Sequence, residues 1–362
     1  MRHLLLALLV LAPLPALAIP NPAVPGPEGR WFAVQLHAHS RYSDGIHPIA
    51  DLVKWAREGG LDAIAVTDHN TNAHLADPVF QADQGVTVIP AYEWTELEGP
   101  NGKHLNLDGP ERCHMSVWGI KPATPILSGL LKRDAMLALA AGQDVVIGAN
   151  HPFEPRFPWP DENFTGVNTV EVWQWQYGLD EAAGAPLPAN IHAPHHAPVE
   201  FLYRNTRAQA LWTRQLKAGH RLTPVAVCDF HVGAGVQAVV SPCTLVWAKS
   251  RSVPDLLNGL KAGHVTLVEE PHGPRVELWG PHDAMPGDEV PKGAKLQLRV
   301  TGAQGQAVTV FDADGVASTI EVPMDPYVQE VPAVKAGFYY ARLDRKRAYN
   351  PILSMTGAIF VK

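Results

Sequence analysis

The chain has 362 residues, 46% hydrophobic and 18% charged, enough for one large core and a second, smaller one. A formal charge of -7 without any block of like charges argues against nucleic acid as a partner. Three cysteines (Cys113, Cys228 and Cys243) make no disulfide framework, although one bridge stays open, whereas seventeen histidines exceed what packing needs.

At the N-terminus Arg2 and His3 precede an apolar run over 4–12, and Ala16-Leu17-Ala18 fits a small-x-small cleavage site. Residues 1–18 therefore read as a signal peptide and 19–30 as a Pro-rich tether. The run is too short to cross a bilayer, so the expectation is an exported protein, periplasmic or secreted, without stable membrane insertion. Trp31-Phe32-Ala33-Val34 then reads as a buried strand leading into His37-Ala38-His39, whose i, i+2 spacing aims both rings the same way. Asp44-Gly45 turns the chain and adds a carboxylate. Residues 48–59 have helical spacing, stopped by Gly59-Gly60. The apolar run 61–66 ends in Thr67-Asp68-His69-Asn70, where a helix cap is the alternative to a ligand and suits Asp68 better than His69. The run 86–92 ends in Glu93, and 114–119 reads as a strand that starts at His114. A helix over 130–141 precedes the strand 145–149, which ends in Asn150-His151-Pro152. A strand over 169–173 carries Glu171, a helix covers 209–217, and the strand 224–227 ends in Cys228-Asp229-Phe230-His231. Between them, 186–198, with His192, His195 and His196, reads as a Pro/His-rich loop.

Short apolar strands alternating with helices are the βα grammar of a parallel sheet. Nearly every strand ends in His, Asp or Glu, and in a β/α barrel such ends open onto one face. From about residue 271 the pattern changes to β-rich segments (275–278, 295–300, 307–311, 337–341) split by turn residues, which reads as a small all-β sandwich. Imidazoles and carboxylates are the ligands of divalent first-row metals. His37, His39, Asp44, His69, Glu93, His114, His151, Asp229 and His231 are too many for one ion, so the expectation is two or three. Closely spaced ions acidify water and neutralise charge on the attacked and leaving oxygens of a small-molecule substrate. No Gly-rich phosphate loop, Ser-His-Asp order or Cys-His pairing competes. Cys113 and Cys228 read as packing residues; Arg41 reads equally as a substrate contact or a solvated side chain; Glu171 reads as support for a ligand or as surface. Trp159, Trp173 and Trp175 could line a pocket or fill the core.

His37-Ala38-His39-Ser40, Ser43-Asp44-Gly45, the 60–70 stretch ending in Thr67-Asp68-His69-Asn70, Asn150-His151-Pro152 and Asp229-Phe230-His231 resemble, in order, the motifs of the PHP (polymerase and histidinol phosphatase) metallohydrolases. Asp44, where many members carry histidine, makes the chain similar to their CehA/McbA, or carbaryl-hydrolase-like, branch. The resemblance spans about residues 31–270, and the tail, with Tyr340-Ala341-Arg342 and Asn350-Pro351-Ile352, resembles that branch too. It implies an α/β fold: a distorted (β/α)7 PHP barrel over 31–270, followed by a small C-terminal all-β sandwich-like domain over 271–362. It also implies two or three divalent ions (Zn, Mn or Fe). His37, His39, Glu93 and Asp229 would hold the first ion. Glu93 would bridge to a second, held by His114 and His151, and Asp44, His69 and His231 would hold a third. A metal-bridging hydroxide would attack the substrate, with Glu93, Asp229 and His231 as the catalytic groups. Both Lys103-His104-Leu105-Asn106 and the segment around His114 resemble one family motif; the Val117-Trp118-Gly119-Ile120 tail and the distance to His151 favour His114. Cys228 and Gln174 depart from the family pattern at positions that bear on substrate. The expected function is an exported hydrolase of ester, carbamate or amide bonds. A phosphoesterase on the same metals and a non-catalytic binding protein are the alternatives.

Overall fold

The computed structural model describes residues 28–81, 84–96, 112–122, 124–154, 159, 161–174, 198–233, 235–345 and 352–362. The expected signal peptide, His104, Trp175 and the histidines of the 186–198 loop lie outside these residues. Strand β1 (Arg30–Gln35) pairs in parallel with β2 (Ala63–Val66), and β2 in parallel with β3 (Thr87–Glu96). All four residues of β2 are buried, as in a strand covered on both faces. Helix α1 (Ile49–Glu58) buries Ile49, Leu52, Val53 and Ala56, one stripe at helical period. Ile49, Leu52 and Val53, fully buried, contribute roughly 1.5–3 kcal/mol each, and Ala56 less.

Beyond β3 the expected parallel alternation is corrected. Strand β4 (Arg112–Trp118) runs antiparallel to both β3 and β5 (Val146–Ala149). The sequence between β3 and β4 carries Gly99, Pro100, Gly102, Gly109 and Pro110, poor material for the crossover helix that a parallel neighbour needs. His114 thus sits near the start of its strand and reaches the same side as the C-terminal half of β3, opposite Thr95. Glu93 also lies inside its strand rather than at the end, because β3 continues to Glu96. Helix α2 (Arg133–Ala140) precedes β5, and parallel order returns through β5, β6 (Thr169–Gln174) and β7 (Thr223–Val227). Helix α3 (Pro198–Lys217) starts well before the predicted helix, its proline at a position where the first turn tolerates one. After β7 come α4 (Val236–Val240), β8 (Cys243–Ala248), α5 (Val253–Ala262) and β9 (Val265–Val268). Strand β8 pairs antiparallel with β1 and with β9. A parallel bridge between Ala38 and Phe230, with the His39 amide donating to Phe230 O at 2.7 Å, ties the segment after β1 to the one after β7. The two ends of the parallel run therefore meet where the candidate ligands are.

The tail supplies β10 (Arg275–Trp279), β11 (Glu289–Val290), β12 (Lys295–Thr301), β13 (Ala307–Asp312), β14 (Gly315–Glu321), β15 (Tyr327–Pro332), β16 (Gly337–Asp344), β17 (Ile352–Thr356) and β18 (Ile359–Val361). Strands β10, β12 and β15 form a three-stranded sheet, and the others join the main 15-stranded sheet. Burial alternates along β12 and β13, and Leu296, Leu298, Val300, Val308, Val310 and Leu343 pack in one apolar core drawn from both sheets. Strand β17 pairs with β9, so the main sheet runs unbroken across the expected boundary at residue 270. The three cysteines are buried and free. No helix among the described residues is long and apolar enough to cross a membrane.

Candidate metal centre

His37 and His39 follow β1, one on each side of the bridge residue Ala38, both fully buried. The chain then folds back over them, because a Cβ on Gly45 would stand 2.3 Å from His39 O and only glycine permits that approach. Asp44 is thereby set with Oδ1 3.4 Å from His39 Nδ1, and with Oδ2 3.2 Å from His231 Nε2 and 3.5 Å from His69 Nε2. Glu93 is the hub. Its Oε2 lies 3.1 Å from His69 Nδ1, 3.2 Å from His39 Nε2 and 3.4 Å from His37 Nε2. Its Oε1 lies 3.1 Å from His114 Nδ1 and 3.4 Å from His151 Nε2. Asp229 Oδ1 stands 3.0 Å from His37 Nε2 and 3.3 Å from His39 Nε2. Every ligand candidate among the described residues is thus in one cluster.

Three sets of donor atoms, each lying within 4.8 Å of one another, emerge: His39, Asp44, His69 and His231; His37, His39 and Glu93; and His69, Glu93 and His114. They differ from the expected grouping in two ways: His39 and His69 each serve two sets, and Asp229 and His151, expected at the first and second ions, fall in none. No set includes a cysteine. Cys228 Sγ instead donates to His37 O at 3.5 Å, and burial pushes its thiol well above the usual range.

The chemistry of these donors fits a cation. His37 Nδ1 lies 2.7 Å from the Glu171 carboxylate, which can only accept, so the ring carries a proton there and turns the lone pair of Nε2 toward Asp229 and Glu93. His231 Nδ1 likewise donates to Asp229 O at 2.9 Å, and its Nε2 lone pair faces the Asp44 carboxylate. Glu93 Oε2 and His39 Nδ1 are buried with no hydrogen-bond partner. Acceptors facing acceptors in a buried site need positive charge between them, and imidazole with carboxylate suits divalent metals. In metal-free protein, protons fill that need. Burial pushes His37 and His39 down, but the carboxylates of Asp229 and Glu93, joined by Glu171 at His37 and Asp44 at His39, outweigh it: His37 rises well above its ordinary value and His39 to about 10. Burial opposes the charge on Glu93 and Asp229, yet the surrounding imidazoles hold both well below the carboxylate range. His69 is pushed down by burial. The inner side chains are sealed, whereas Asp44 is 22% exposed, His231 17% and His69 11%, so the cluster opens on that side.

Several supporting residues escaped the sequence reading. Asp68 caps no helix; it accepts from Ser40 N, Ser40 Oγ and Ser43 Oγ, each at 2.8 Å, and pins the loop that carries Asp44. Asn70, at φ 44, exchanges two 3.0 Å bonds with the Thr95 backbone, and Thr95 Oγ1 meets His69 Nδ1 at 2.7 Å. Asn150 Nδ2 donates to Glu93 Oε1 at 2.7 Å. The available signal was position: Asp68, Asn70 and Asn150 each adjoin a candidate ligand, and Thr95 shares the strand face of Glu93. Glu171 is buried rather than on the surface, Trp173 belongs to the core, Trp159 Nε1 donates to Asn150 O at 3.2 Å, and Arg41 is exposed.

The PHP domain family matches residues 35–96, the stretch that carries His37, His39, Asp44, His69 and Glu93. Among solved structures, the chain is similar to a two-domain protein of Bacteroides vulgatus containing a predicted PHP-like metal-dependent phosphoesterase, at 15% identity, TM-score 0.48, over 92% of this chain and 97% of that one. It is also similar to PsfC of Pseudomonas syringae, at 18% identity, TM-score 0.40, over 62% and 85% of the two chains. A third is an amidohydrolase of Chromobacterium violaceum, at 14% identity, TM-score 0.33, over 55% and 87%. The comparison with curated proteins found no match.

Proposed function

We propose that this chain is a metal-dependent hydrolase of the PHP type that cleaves an ester, carbamate or amide bond in a small molecule, with two or three divalent ions (Zn, Mn or Fe) at the Glu93 cluster. The observation that carries this reading is the convergence of buried carboxylate and imidazole acceptors around Glu93. Ions held there supply Lewis acidity, lowering the pKa of water and drawing charge from the oxygen of the attacked bond.

The chain's own residues orient and move protons around that chemistry. Glu93 spans the cluster, with His37, His39 and Asp229 on one side and His114 and His151 on the other. Asp44, His69 and His231 form the exposed rim where substrate enters. Asp44 Oδ2 and His231 Nε2, 3.2 Å apart, face each other across that rim, where a leaving group would meet them. Asp44 in place of histidine supports the CehA/McbA-like branch. The same proposal includes a PHP barrel over 31–270, a β domain over 271–362 and export directed by residues 1–18.

The phosphoesterase reading has less support. Among the described residues, Asp44 and Glu93 are partnered by histidines, Ser43 and Asn150 and by no lysine or arginine, the side chains that phosphoryl oxygens favour. A parallel screen of p-nitrophenyl acetate, aryl carbamates and phosphodiesters with metal-loaded protein tests the choice. Turnover of the ester or carbamate is expected. Turnover of phosphodiesters alone would reverse the assignment, and silence on all three with metal bound would leave a binding protein.

A further inference from the structure

On a regular strand, residues three apart face opposite sides of the sheet, so Glu171 and Gln174 of β6 should not reach the same place. They do. Pairing of β6 with β7 runs in step to Glu171–Val225 and resumes at Trp173–Ala226, which leaves Val172 as an extra residue. Such a bulge is uncommon between parallel strands, and it turns the residues after it onto the other face. Val172 and Trp173 both pack into the apolar core, while Glu171 and Gln174, each 2% exposed, reach the candidate ligands.

Glu171 grips two of them. Its Oε1 lies 2.7 Å from His37 Nδ1, and its Oε2 accepts the backbone N–H of His151 at 2.7 Å. Gln174 Nε2 donates to Asp229 Oδ2 at 2.8 Å, which leaves Asp229 Oδ1 turned to His37 and His39. His151 and Asp229 are also the two candidate ligands with left-handed backbone, at φ 26 and φ 50. Residues other than glycine keep that conformation only where their surroundings fix it. Each is held from β6.

The geometry points to β6 as a positioning strand: its bulge brings Glu171 and Gln174 to one face, where they hold His37, His151 and Asp229 in ligating orientation. Glu171 does what glutamine cannot, because both its oxygens accept, whereas an amide has one acceptor. By fixing the His37 proton on Nδ1 it aims a bare, more basic Nε2 at the ions. Gln174 acts more weakly, through one neutral donor to a carboxylate.

The inference rests on the metal reading above, and its test separates the two. Full-length wild type, Glu171→Gln and Gln174→Leu are compared for Zn2+ affinity by chelator competition, for bound metal per chain, and for the absorption spectrum of bound Co2+. Circular dichroism checks the fold. Glu171→Gln should lower metal affinity by about 10–100-fold and shift the Co2+ bands, with a smaller loss for Gln174→Leu. A merely structural role would lower thermal stability with and without metal and leave affinity and spectrum alone; that result overturns the inference. If wild type binds metal and both variants bind it equally, positioning fails and the metal reading stands. If wild type binds none, both fail. Should Glu171→Gln not fold, Gln174→Leu, which loses one hydrogen bond and no charge, decides by the same affinity readout.

Discussion

His37, His39 and Glu93 lie on or beside strands with almost no exposure, and buried polar partners fix them: Glu171 for His37, Asn150 for Glu93. Asp44 and His231 come from loops, His69 follows β2, and all three touch solvent. The rim is placed by a close glycine approach at Gly45 and by Asp68 bonding to Ser40 and Ser43. Two building methods in one cluster suggest a division of labour. The inner half is sealed and held by buried partners, and the outer half is open to solvent.

The sharpest way to break this contrast is at the hub. Glu93→Gln removes the carboxylate that faces both sides of the cluster, so hydrolysis should fall by more than about 100-fold, beyond what losing a supporting group costs, with the fold intact by circular dichroism. Full activity would remove Glu93 from the centre. Asp44→Asn tests the rim alone. It should weaken or lose the outermost ion, seen as a lower metal count, and because His39 and His69 serve both halves some inner affinity should go with it, less than in Glu93→Gln. Loss of all metal would show that the halves do not separate.

A smaller effect sharpens the inner half. His37 and His39 have raised pKa values in the metal-free protein and are therefore protonated at neutral pH, so metal must displace those protons. The sign follows: affinity climbs as pH rises toward about 10, the value for His39, and loading near pH 7.5 releases protons. Calorimetric titration in buffers of different ionisation enthalpy reads the release directly. Identical heats in all buffers would mean the two imidazoles start neutral.

Most of the clustered His, Asp and Glu side chains were legible because the same event recurs along the chain: an apolar run ends and a His, Asp or Glu follows. His37, His69, His151 and Asp229 all announce themselves this way. Strand direction and register were not legible. The antiparallel course of β4 and the bulge at Val172 are set by pairing with neighbours far along the chain, which local composition does not record. For that reason Glu171 remained ambiguous between support and surface, and Gln174 was seen only as a departure. Helix α5, by contrast, was missed despite clear signals: Ser252 accepts the Asp255 amide, Pro254 lies in the first turn, and Gly263 closes the helix in the left-handed region.

The central claim is a centre of more than one ion gathered by Glu93. Elemental analysis of the purified full-length protein, after loading and removal of free metal, tests it most directly. The donor sets predict at least two divalent ions per chain in wild type, falling in Glu93→Gln. One ion or none in wild type would contradict the account.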